Sequence, residues 1–319
     1  MKNFFRIAGM IFNQPLMVTD AMLDQAAHWA NQQLSLNILN LSVSATGAKM
    51  MEDDDYPSAQ AARGDDQRRQ AIADTGVAVI PVHGVLVSRS TQLNMCETMT
   101  SYEQLRSQLN TALSDPAVEH IVLDIDSPGG STNGAFELAD DIHAARAIKP
   151  ITAIVNFSAF SAGYLLASAA TDISVSRTSG VGSIGVIAKH MDISKRNEQQ
   201  GVKVTTVYAG AHKNDLTPHE PLSDQSLQFL NDMVQGYYEQ FVGAVALYRG
   251  LTADAVRATE ANVYFGQKGI DLQLADRIET PQMAVNRIAA EVQQRRAERN
   301  PKPTKIAARA QAMAIQNQL

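Results

Sequence analysis

His120-Ile121-Val122-Leu123-Asp124-Ile125-Asp126-Ser127-Pro128-Gly129-Gly130 is an apolar run that ends in a proline and two glycines. Short and apolar on both faces, it has the pattern of a strand buried inside a sheet. The turn at its carboxyl end is where α/β sheets hold their ligands. The same alternation continues outward on both sides. Val77–Val82 reads as a strand and 101–114 as a helix. A helix over 133–148 is terminated by Pro150, and Ile151–Val155 is the next strand. Ser161–Ala170 reads as a helix, Ile173–Ser176 as a short strand, and Gly182–Ala188 as a further extended piece. A helix over 192–200, a strand over 203–207 and a long helix over 223–249 complete the series. Strands that alternate with helices in this way predict an α/β fold with a largely parallel sheet.

Composition sets the frame around this core. The chain has 319 residues, enough for one large domain or two small ones, and its hydrophobic and charged fractions of 45% and 19% are those of an ordinary globular protein. A net charge of −6 gives no reason to expect nucleic-acid binding. The single cysteine, Cys96, excludes an internal disulfide framework and reads as a small buried hydrophobe. Met1–Phe12 is apolar but carries Arg6, a poor secretory core. Ile151–Thr171 is uncharged over a membrane length, yet Asn156, its serines and Gly163 make it a strand, a turn and a helix instead. No membrane association is expected. The chain divides into an N-terminal appendage at 1–50, where Met22, Ala26 and Trp29 share one helix face, an acidic linker at 51–75, a main domain at 76–280 and a basic helical tail at 281–319. That tail holds seven basic residues against Glu291 and Glu298, and reads either as a solvated helix or as an arm for an acidic partner.

Three short segments carry chemistry. Gly129 and Gly130 let the backbone approach a substrate and turn N–H groups toward it, as an oxyanion hole requires; the alternative is a plain strand-to-helix turn. In Asn156-Phe157-Ser158-Ala159-Phe160-Ser161-Ala162-Gly163-Tyr164, Ser161 stands where a helix begins. It is either an N-cap or a nucleophile with the Ala162 N–H beside it. In Tyr208-Ala209-Gly210-Ala211-His212-Lys213-Asn214, Lys213 is either an exposed loop residue or a base. A serine hydroxyl needs a base to take its proton, and a lysine does so only when burial keeps it neutral.

The order of these segments resembles the signal peptide peptidase A (protease IV) family over about residues 76–278. Thr178-Ser179-Gly180-Val181-Gly182-Ser183-Ile184-Gly185-Val186 and Val263-Tyr264-Phe265-Gly266-Gln267 fall in the matching sequence. The resemblance implies a crotonase/Clp-protease-like fold of repeated β-β-α units. It implies Ser161 as nucleophile, Lys213 as general base, the amides of Gly129, Gly130 and Ala162 as oxyanion hole, and Ser183 in support of the lysine. Ala162 stands where the family often has glycine, which leaves the backbone donor intact. Ile7–Met17 and Val85-Leu86-Val87-Ser88-Arg89 look like the branch of the family formed by capsid assembly proteases of lambda-type tailed phages. That branch implies a homo-oligomeric ring cutting scaffold proteins, portal proteins or itself in the host cytoplasm or inside the prohead. Without the transmembrane start of the membrane-anchored relatives, the chain is expected to belong to the phage branch, with any scaffold-like extension expected to be absent or reduced to the basic tail.

Other readings stay open beside this one: a cellular peptidase that clears signal peptides, a crotonase-like thioester enzyme, or a capsid assembly protein without catalysis. His28, His83, His120, His143, His190, His212 and His219 lie in no nucleophile-elbow context. No metal-ligand spacing or phosphate loop is present, so no cofactor or metal is expected.

Overall fold

The computed structural model describes residues 14–20, 22–24, 56–89 and 99–299, with 56–65 as backbone. Cys96, most of the expected appendage and the tail beyond Arg299 lie outside the described residues. In chain order the strands are β1 (Leu16–Val18), β2 (Val77–His83), β3 (Val85–Val87), β4 (Met99–Ser101), β5 (His120–Ser127), β6 (Gly129–Ser131), β7 (Ile151–Phe160), β8 (Asp172–Val175), β9 (Gly180–Gly182), β10 (Val263–Phe265) and β11 (Arg277–Ile278). The helices are α1 (Tyr56–Thr75), α2 (Tyr102–Ser114), α3 (Ala135–Ala145), α4 (Ala162–Ser168), α5 (Ser194–Gln199), α6 (Asp224–Arg249), α7 (Ala253–Arg257), α8 (Gln267–Asp271) and α9 (Pro281–Arg299).

Seven strands form the main sheet, in the order β10-β9-β7-β5-β2, with β8 on β7 and β11 on β8. All its pairings are parallel except β9–β10. Pro81 sits in β2, at the sheet edge where a missing N–H costs no ladder bond. Strand periodicity divides the core. On β5, Ile121, Leu123 and Ile125 join Leu105 and Leu109 of α2 and Leu138 and Ile142 of α3 in one cluster. Val122 faces the other way, and with Val77 and Ile154 it packs on Ala284, Ile288 and Val292 of α9. Helices thus cover both faces of the sheet, and no helix among the described residues is long and apolar enough to cross a membrane.

The β-β-α repeat is visible in the connections. After β2 the chain runs through β3 and β4 into α2, and after β5 through β6 into α3. The short strands build a second sheet, β1-β6-β3-β4, at the carboxyl ends of the long ones.

Three expectations differ from what is observed. Residues 56–75, read as linker, are helical and pack against β2 and α9. The tail segment 281–299 is neither free nor fully solvated. Its apolar stripe is buried, and its arginines pair within the chain: Arg287 with Glu279 at 2.8 Å and Arg296 with Glu119 at 2.5 Å. The strand expected at 203–207 is not formed: among the described residues no strand pairs with this segment, and its residues are exposed.

Candidate active site

β7 delivers Ser161 directly into α4, and the junction is strained. Ser161 adopts φ 52° and ψ −117°, a conformation that costs about 1–3 kcal/mol unless its surroundings enforce it. Two backbone bonds do so. The Ser161 N–H donates to Gly182 O at 2.9 Å, and the Leu165 N–H donates to Ser161 O at 2.9 Å. The hydroxyl reaches Gly185 O at 3.4 Å, a weak bond that leaves Oγ available for other chemistry. Ser161 is fully buried. The next residue, Ala162, opens the helix, and among the described residues its N–H has no protein acceptor.

The Gly129-Gly130 turn packs against this serine. Gly129 has φ +105°, and a methyl group there would collide with the Met17 carbonyl oxygen and lie 3.0 Å from Ser161 Cβ. At Gly130 a methyl would collide with the Leu86 carbonyl oxygen. The Ser127 hydroxyl braces the turn by accepting from the Gly129 N–H at 3.1 Å while donating to Gly84 O at 2.7 Å. Ser158 Oγ donates to Asp126 Oδ1 at 2.7 Å, tying the bend before Gly129 to the bend before Ser161. Of the three expected oxyanion donors, Gly129 is therefore engaged by Ser127, and Gly130 lies in a sheet opposite Met17 and Leu86. The Ala162 amide has no acceptor among the described residues.

Ser183 stands between Gly182 and Gly185, the two residues whose carbonyls meet Ser161. It has φ 54°, and its N–H donates to Asn262 O at 2.8 Å next to the β9–β10 pairing. Lys213 is placed differently. Its loop is exposed, its N–H donates to Gly210 O at 3.1 Å, and its amine has no hydrogen bond or ion pair among the described residues. The expected burial of this lysine is not found in the single chain. The preceding segment is uncovered, with Val207 at 92% exposure and Val202, Val204 and Tyr208 exposed beside it. Loop and helix are braced by Asp215, which accepts from His212 Nδ1 at 2.7 Å, from Gln225 at 2.8 Å and from Ser226 at 3.1 Å. The hydrogen bond from His212, with that from Gln225, holds the Asp215 carboxyl below its ordinary range.

His83, His120, His143, His212 and His219 each bond elsewhere, to Asp124, Thr152, Arg146, Asp215 and Asn197. No group of three or more metal-ligating side chains occurs among the described residues.

One contributor escaped the sequence. β1, from the expected appendage, pairs antiparallel with β6 in the register Leu16–Ser131, Met17–Gly130 and Val18–Gly129. It lies directly over the glycine turn, with Met17 fully buried. Three residues after a proline, with partners more than 100 positions away, leave no periodicity to read.

Comparison with known proteins gives the following. Residues 143–295 match the model of peptidase family S49. Capsid assembly protease C of Escherichia phage lambda is 38% identical over 287 residues, covering 87% of this chain and 64% of that protein. The head-tail preconnector protein GP5 of Enterobacteria phage P21 is 36% identical over 281 residues, covering 87% of this chain and 55% of that protein. A putative signal peptide peptidase SppA of Enterococcus faecium is 26% identical over 204 residues, covering 63% and 59%. The chain thus spans less than two thirds of the length of each of these relatives.

Proposed function

From a chain that carries a peptidase family S49 domain, we propose a serine endopeptidase in which Ser161 is the nucleophile and Lys213 its general base. The observation that carries this reading is the enforced, strained backbone of Ser161, pressed against a glycine turn and followed by an unengaged amide. Strain of this kind gathers at reacting residues.

In the proposed reaction neutral Lys213 Nζ takes the Ser161 Oγ proton as Oγ attacks the scissile carbonyl carbon. The Ala162 N–H, with a glycine amide released from its present partner, stabilises the developing oxyanion. The protonated lysine then gives its proton to the leaving amine, and an acyl-enzyme remains on Ser161. A water then attacks the acyl carbon as Lys213 takes its proton, the acyl–Oγ bond breaks to release the carboxylic acid, and the lysine returns the proton to Ser161 Oγ. Ser183 helps to hold the lysine.

Lys213 must travel to Ser161 for this to happen. The exposed Val202, Val204, Val207 and Tyr208 on the same segment favour a closing movement, since covering them removes apolar surface from water. Burial beside that surface also favours the uncharged amine that catalysis needs. A homo-oligomeric ring supplies such a cover, whether the serine served belongs to the same chain or to its neighbour.

The names of the phage relatives, a capsid assembly protease and a head-tail preconnector protein, favour a scaffold protein, a portal protein or the chain itself as substrate, cut during prohead assembly in the host cytoplasm. Mass spectrometry of the chain co-expressed with neighbouring head proteins tests this. Defined cleavage products present with wild type and missing with Ser161→Ala are expected; identical products from both would refute it.

A further inference from the structure

We propose that Gln14–Thr19, seated between Gly129–Ser131 and Ile187, is a tethered ligand of this chain that keeps Ser161 covered. The closing role rests on the peptidase reading above; the groove itself does not.

The strand is gripped along both edges. On one side it pairs with β6, where Thr19 N–H donates to Pro128 O at 3.2 Å and Thr132 Oγ1 donates to Pro15 O at 3.1 Å. On the other, Leu16 exchanges two bonds with Ile187, at 2.8 and 2.9 Å. Main-chain pairing of this sort recognises an extended peptide with little regard to its side chains, and alternate side chains supply the selectivity. Here the selected side chain is Met17, which is buried without exposure.

The strand also stands where a scissile bond would have to lie. One point, the place of a Gly129 methyl, is 3.0 Å from both the Met17 carbonyl carbon and Ser161 Cβ. The Met17 peptide group therefore sits beside the serine, on the side of the glycine turn. Ile187 follows two residues after Gly185, whose carbonyl meets the Ser161 hydroxyl, so both walls of the groove end at the nucleophile. With β1 seated, Ser161 has no exposed surface, and a second peptide has no free edge to pair with.

The anchor is a surface ion pair. Lys189 binds Asp20 at 2.8 Å and Asp24, just beyond the strand, and these hydrogen bonds raise the affinity of the lysine for its proton. A charged latch outside the groove lets the strand leave without disturbing the residues that line it.

Two variants test the proposal: a chain lacking residues 1–19, and the full chain carrying Lys189→Glu. The probes are a fluorescein-labelled peptide of residues 14–20 and a serine-reactive fluorophosphonate. The peptide is expected to bind the shortened chain and not the full wild-type chain. Ser161 is expected to react about tenfold faster in both variants, because only the open fraction reacts, and the peptide is expected to slow the shortened form again. Peptide binding to neither form, or equally to both, overturns the proposal. So do equal Ser161 reaction rates in all forms, an outcome that leaves the peptidase reading standing. Peptide binding confined to the shortened chain, with no adduct on Ser161 in any form, upholds the groove and removes the peptidase reading. If the shortened chain does not melt cooperatively, the Lys189→Glu chain decides. Faster amide exchange at 16–18 together with faster Ser161 reaction upholds the proposal, and wild-type values for both overturn it.

Discussion

Gly129 and Ser161 meet without a side chain between them: a methyl on the glycine would stand 3.0 Å from the serine Cβ and strike the Met17 carbonyl oxygen. A substrate carbonyl placed over the serine needs that same space. Gly129→Ala is therefore expected to lower peptide hydrolysis by about two orders of magnitude or more, the scale of losing an oxyanion-hole donor. Steady-state hydrolysis of a head-protein peptide measures it, and a rate within twofold of wild type would exclude the turn from the site.

The backbone of Ser161 leads to a separate prediction about stability. Its φ of 52° suits glycine better than any residue with a Cβ. Ser161→Gly should unfold at higher urea than Ser161→Ala, by about 1 kcal/mol, although both lose the nucleophile. Equal midpoints would mean that the serine is not strained.

Lys213 separates activity from stability. Its amine has no partner among the described residues, so Lys213→Ala should leave the melting transition within about 0.5 kcal/mol of wild type, as for ordinary surface substitutions. Hydrolysis should nevertheless disappear. Arginine at 213 should not restore it, because a guanidinium holds its proton and cannot serve as base. Retained turnover in either variant counts against the lysine.

Most of the main sheet was legible in the sequence, and the reason is burial. β2, β5 and the first half of β7 lie between helices on both faces, so their apolar runs are long and unbroken. α6 was equally clear, starting at Ser223, which accepts from Ser226 N–H, and ending at Gly250 with φ 65°. What stayed hidden depends on pairing between distant segments. β1 and β6 hold three residues each, and nothing local in Pro15–Val18 points to Gly130 or Ile187. At 203–207 the error ran the other way. The β-branched residues are a real strand signal, but among the described residues no strand pairs with them, and Val204 and Val207 are exposed. The site divides in the same manner. Ser161 and its glycine turn are set by the sheet, whereas Lys213 stands on an exposed loop with no partner for its amine among the described residues.

His120 gives the fold a pH dependence. Burial, with a lesser push from Arg295, lowers its pKa from 6.5 to about 4. Thr152 Oγ1 donates to Asp172 and so accepts from His120 Nε2, which leaves Nδ1 as an unpaired buried acceptor. Between pH 6.5 and 4 the unfolded chain takes up a proton that the folded chain refuses. Stability is therefore complete above about pH 6.5 and declines as pH falls toward 4, by about 3 kcal/mol in total from this group. Urea melts across that range should show the slope in wild type and a shallower one in His120→Gln. Parallel curves would remove the histidine from the account.

The pairing of Ser161 with Lys213 is tested most directly by saturating exposure of the full chain to a fluorophosphonate, with the adduct located by peptide mass spectrometry. One adduct is expected, on Ser161, absent in Ser161→Ala and formed far more slowly in Lys213→Ala. An adduct on another residue, or one formed at the wild-type rate without Lys213, would contradict it.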